Sequence, residues 1–87
     1  MAGTNSVLAN RSREQILANM IEVAFSPVNK TAIMYRASLS YTQLRLYMRV
    51  IQDNKFLVAT DSGQWVATEK GRQFVQAYNA LRQILDS

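Results

Sequence analysis

Two helix-start signals separated by a short gap constrain this chain more than any other feature. Asn29 suits the N-cap of a short helix from Lys30 to about Arg36, with Ala32, Ile33 and Tyr35 available for burial. Ala37, Ser38 and Leu39 leave room for a tight turn and nothing longer. Ser40 then precedes Gln43 by three residues, the pattern in which hydroxyl and amide each satisfy a free backbone group at a helix start. Residues 41–53 carry apolar side chains at helical spacing, and Asn54 is a suitable stop. Two helices joined in this way form a helix-turn-helix unit, whose second helix stands across the first.

The flanking segments supply the rest of a domain. Ser12 with Gln15 repeats the helix-start pattern, and Ile16, Leu17, Met20, Ile21 and Ala24 form an apolar stripe that must face a core. Pro27 is expected to end this first helix. Residues 56–60 are β-prone, Asp61, Ser62 and Gly63 make a turn, and 64–67 return as a second strand. Thr68 can cap a last helix over 68–86, with Glu69 favourably placed in its first turn. Three helices, a hairpin and a helix define an α+β, mainly α fold, a helix-turn-helix carrying a two-stranded wing. At 87 residues the chain suffices for one domain, assigned to 11–87, while 1–10 read as a flexible tail.

Charge points to a polyanionic partner. Ten Lys and Arg against six Asp and Glu give a formal charge of +4 and a pI near 9.9. Between Lys30 and Lys55 lie five cations, completed by Arg36, Arg45 and Arg49, against the one anion Asp53; elsewhere five cations balance five anions. The surplus therefore belongs to the central segment. The chain has neither Cys nor His, which removes disulfides, thiolate zinc sites and imidazole catalysis, and its scattered carboxylates offer no oxygen-ligand metal site. With no glycine-rich phosphate loop and no paired nucleophile and base, neither an enzyme nor a cofactor is expected, and no small-molecule ligand is evident. No apolar stretch approaches the roughly 20 residues of a membrane span, nor does the start resemble a signal peptide, so a cytoplasmic, nucleoid-associated location is expected.

At about 100° per residue, Leu44, Tyr47, Met48 and Ile51 share one arc of the third helix, its core face. Thr42, Arg45 and Arg49 project together elsewhere, with Tyr41 at the border and Leu46 beyond them. A helix fits the major groove of duplex DNA, where guanidinium forks pair with guanine edges or clamp phosphates. Arg45 is the leading base-reading candidate, Tyr41 and Thr42 lie where such a helix first meets base edges, and Arg49 suits a phosphate. Ser40 and Gln43 at the helix start, with Lys30, Arg36 and Lys55 around it, complete the expected DNA-binding set. Leu46 would touch a thymine methyl or pack on a neighbouring chain. In the wing, Asp61 would repel phosphate, leaving a modest role to Ser62, Gly63 or Gln64. Trp65 is expected to anchor the hairpin on the first helix rather than to stack on bases.

The last helix carries Phe74, Tyr78, Leu81 and Leu85 at spacings of four, three and four, the seam of a coiled coil. Phe74 and Tyr78 can serve their own domain, while Leu81, Ile84 and Leu85 would lie beyond it and bury themselves against a second copy. These five residues are the expected homodimer interface. A two-fold dimer would set two reading helices about one DNA turn apart.

The run Lys30-Thr31-Ala32-Ile33-Met34-Tyr35-Arg36-Ala37-Ser38-Leu39-Ser40-Tyr41-Thr42-Gln43-Leu44 resembles the central signature of small archaeal winged helix-turn-helix proteins, most of them described as transcriptional regulators. Thr68-Glu69-Lys70-Gly71 is similar to the start of that family's last helix, and the likeness extends from Arg11 to Leu85. The resemblance implies the same order of elements, double-stranded DNA binding through the third helix and, in some members, dimerisation by a long antiparallel C-terminal coiled coil. The last helix here is shorter, which implies a compact helix-to-helix contact, and Ser38 stands where the family often has Asn. Two other readings stay open: a winged helix that docks proteins through Leu46 and Val50, and a nonspecific protein that coats DNA.

Overall fold

The computed structural model describes residues 11–86; the tail expected over 1–10 lies outside them. The elements are α1 (Arg13–Val23), α2 (Lys30–Arg36), α3 (Tyr41–Asp53), β1 (Leu57–Ala59), β2 (Trp65–Ala67) and α4 (Glu69–Asp86), the α+β, mainly α winged helix-turn-helix arrangement. Helix α1 runs through the centre, packed against α2, α3, β2 and α4. Its stripe is buried as expected, and Met20 and Ile21, with Ile33 of α2 and Ile51 of α3, are the largest fully enclosed side chains. Each stabilises the fold by about 1.5–3 kcal/mol through apolar area removed from water.

All three helix-start signals are realised. Ser12, Asn29 and Ser40 accept from the amides of Gln15, Ala32 and Gln43. At Ser40 the box is reciprocal, because Gln43 Oε1 also accepts from the Ser40 amide at 2.9 Å. Helix α1, however, ends at Val23, short of Pro27. The Ala24 carbonyl accepts from the amide of Ala67 at 2.8 Å, so the chain leaves the helix to meet β2 before the proline is reached. Tyr35 also departs from expectation: Ile33 and Ala37 face the core, and Tyr35 on the other side of the short α2 is 72% exposed.

Helices α2 and α3 end in the same way, each with a residue in the left-handed region. Ser38 (φ 57°) donates to Tyr35 while Leu39 donates to Met34; Lys55 (φ 58°) donates to Gln52 while Phe56 donates to Ile51. This is the paired terminal bonding of a Schellman cap, usually reserved for glycine. Strands β1 and β2 pair antiparallel with Val58 opposite Val66, and the 61–63 loop closes with Gly63 at φ 82°, the glycine position of a three-residue hairpin turn. Val28 adds a bridge to the outer side of β2, exchanging bonds of 3.0 and 2.7 Å with Trp65. Half-buried Trp65 thus anchors the hairpin to the segment before α2, while Ala67 ties it to the end of α1.

Helix α4 docks through its first turn. Thr68 Oγ1 accepts from the Gly71 amide at 3.0 Å and reaches the carbonyls of Lys55 (2.6 Å) and Phe56 (3.2 Å). Gly71 lies so close to the Phe56 carbonyl that a Cβ there would overlap it. Replacing a helical glycine with alanine ordinarily stabilises; here the overlap reverses the sign. Gly71→Ala should lose about 1–3 kcal/mol in urea unfolding, whereas Lys55→Gly, which relieves a left-handed side chain, should gain about 0.5–1 kcal/mol.

Candidate nucleic-acid interface

The outward face of α3 follows from how its inward face is held. Leu44, Met48 and Ile51 are buried and Tyr47 is half-buried, which turns Thr42, Arg45, Leu46 and Arg49 to the surface. These four line a shallow depression of about 240 Å³. The Arg45 guanidinium stands 5.9 Å from the ring centre of Tyr41, itself 66% exposed, so the two form one surface at the helix start. Among the described residues, no carboxylate lies within ion-pair distance of Arg45 or Arg49; the ion pair found is Arg82 with Asp86, 3.9 Å apart on α4. Both guanidinium groups are therefore exposed and uncompensated.

The other expected contacts are distributed differently. Ser40 and Gln43 are exposed, but the Ser40 oxygen and Gln43 Oε1 are engaged in the capping box, leaving the hydroxyl hydrogen and the amide NH₂ for an outside partner. Arg36 is exposed at the end of α2. Lys30 sits at the start of α2 with its ammonium 5.9 Å from the Trp65 ring, beside the hairpin rather than on the α3 face. Lys55 follows the end of α3, about 20 Å along the axis from Tyr41. The sequence set thus separates into a cluster of Tyr41, Thr42, Arg45 and Arg49 and outlying cations around it.

In the wing, Thr60 Oγ1 and Ser62 Oγ lie 3.1 Å apart, and the Gln64 amide donates to Thr60 Oγ1 at 3.1 Å. The loop's polar groups are largely spent on one another, and Asp61 is exposed. Val50, considered for a protein-docking surface with Leu46, is half-buried against the chain's own core. Phe74 and Tyr78 likewise pack on that core, Phe74 with its ring centre 4.9 Å from that of Phe56. Of the five residues expected at a homodimer interface, Leu81, Ile84 and Leu85 are the exposed ones.

Arg11 is the residue that sequence reasoning missed. Its guanidinium donates to the carbonyls of Ala37 (2.7 Å) and Ser38 (2.8 Å) and to Asn19 Oδ1 (3.0 Å). It thereby satisfies the carbonyl end of α2 and ties the turn before α3 to α1, with the cation at the favourable end of the helix dipole. No local pattern announces it, because its partners in the turn are 26 and 27 residues away.

The winged helix-turn-helix family model matches residues 10–86, and the chain belongs to that family. Among solved structures it is similar to Sso10a-2, a DNA-binding protein from Sulfolobus solfataricus, with a TM-score of 0.76 and 16% identity over 87% of this chain and 83% of that one. At this identity the likeness is one of fold. No curated protein matches the sequence.

Arg11→Ala should lower stability by about 1.5–3 kcal/mol in denaturant unfolding, the range for hydrogen bonds to a charged group. A change under about 0.5 kcal/mol, the size of an ordinary surface substitution, would show that the turn stands without the clamp.

Proposed function

We propose that the protein binds double-stranded DNA as a homodimer, with α3 in the major groove, and acts as a transcriptional regulator. The observation that carries this reading is the exposed α3 face on which Thr42, Arg45 and Arg49 stand together with no carboxylate in ion-pair distance of either arginine. Two arginines on one face of a helix that fits the groove match both tasks of such an element. Arg45, nearer the helix start and 5.9 Å from the Tyr41 ring centre, suits a guanine edge, and Arg49, one turn on, a phosphate. Arg36 and Lys55 add positive potential at either side of this face, as does Lys30 near the hairpin. The fold-level likeness to a DNA-binding protein and the resemblance to archaeal regulators support the same partner. The acidic, internally bonded wing is assigned a minor part.

The dimer rests on α4. Residues 79–86 are exposed throughout, and Leu81 and Leu85, 53% and 72% exposed, extend the stripe that begins with Phe74 and Tyr78 in the core. Ile84 lies beside them. Asn79, Arg82, Gln83 and Asp86 occupy the polar side of the same helix end. An amphipathic end projecting from the domain is the form of a helix that pairs with a copy of itself.

Arg45→Glu with Arg49→Glu should abolish duplex binding, read by fluorescence anisotropy at about 50 mM salt, while the melting transition stays near that of the wild type. Survival of binding would mean that another face meets the DNA. Leu81→Asp with Leu85→Asp should convert a dimer to a monomer by light scattering; a wild type that is monomeric at high concentration ends the dimer reading.

A further inference from the structure

We infer that Leu46 makes the α3 face selective for thymine, by seating the 5-methyl group of that base in the depression that it lines with Thr42, Arg45 and Arg49. The inference rests on the major-groove reading of α3 and names what that face recognises.

Leu46 holds an unusual place. At about 100° per residue it points almost directly away from the middle of the arc formed by Leu44, Met48 and Ile51. It is 59% exposed, where apolar residues on the same helix are buried or half-buried except for Tyr41 at its start. Thr42 precedes it by one turn, and the side-chain methyl of Thr42 extends the apolar patch. Arg45 and Arg49 bound the same depression of about 240 Å³.

A residue facing directly away from the core meets the groove floor when its helix enters the groove, and Arg49 and Arg45, about 60° and 100° round the helix to one side of it, meet one wall. The major-groove floor consists of hydrogen-bonding groups on all four bases, the thymine O4 among them, together with one methyl group, the 5-methyl of thymine. A leucine pressed on the polar edges would strip water from donors and acceptors and return no partner, which is costly. Over a thymine methyl the same side chain buries apolar surface on both partners. The two guanidinium groups beside it then reach the guanine edge or phosphate at adjacent steps. An apolar patch of Leu46 and Thr42 with two guanidinium groups along one side thus describes one composite surface that fits a thymine next to a guanine.

Uracil differs from thymine in the methyl alone and keeps its pairing with adenine. The test therefore compares one mixed-sequence duplex made with thymine and again with uracil at every thymine position, against wild-type protein and Leu46→Ala. Wild type should bind the uracil duplex about fourfold more weakly for each methyl buried, the worth of one buried methyl group. Leu46→Ala should bind both duplexes alike, at the wild type's weaker level, and melt with the wild type because the side chain is exposed. Equal wild-type binding to the two duplexes, or full discrimination retained by Leu46→Ala, overturns the inference while leaving DNA binding intact. Failure to bind either duplex at about 50 mM salt overturns the DNA reading and this inference with it.

Discussion

The Phe56 carbonyl accepts from both the backbone amide of Thr68 (3.0 Å) and its hydroxyl (3.2 Å), and Gly71 passes close above it. On its other side the Phe56 amide donates back to Ile51 in the last turn of α3, and its ring meets Phe74 of α4. One residue therefore joins the end of α3, the start of the hairpin and the root of the last helix. The arginine face on α3 and the leucine stripe on α4 are held in a set relation through this joint. For a two-fold dimer that relation sets the separation and tilt of the two α3 helices, so half-site spacing on DNA would follow from backbone packing around Phe56.

The start of α3 is fixed by a second, smaller device. Turning the chain sharply after α2 requires a left-handed residue, and Ser38 takes it at φ 57°. The unfavourable conformation is offset by the terminal bonds of Ser38 and Leu39 and by the Arg11 guanidinium on the carbonyls of Ala37 and Ser38. Immediately afterwards the reciprocal Ser40 and Gln43 box closes the first turn of α3. The helix that carries Tyr41, Thr42 and Arg45 thus starts from a braced corner, which limits the ordering cost of presenting those side chains to any partner.

Much of this was legible in residue order. The bounds of α2 and α3, the caps at Ser12, Asn29 and Ser40, the core face of α3 and the hairpin all came from patterns spanning a few positions. Departures from expectation share a different origin. Helix α1 stops before Pro27, where Ala24 bonds Ala67, and Lys30 stands over Trp65 beside the hairpin. In each case a residue distant in the chain competes for a group that local reasoning treats as free.

Sequence alone determined that this chain makes a helix-turn-helix with a wing, and that its surplus cations and the two arginines of α3 fall in one segment. Those conclusions rest on capping and periodicity, where the interacting groups are three or four residues apart and their geometry is dictated by the helix itself. Only the tertiary structure decided that Arg11 serves the turn, that Val28 joins the sheet and that Gly71 must lack a side chain. These depend on which distant backbone or side chain arrives at a given point, and no spacing along the chain encodes that before the core has closed.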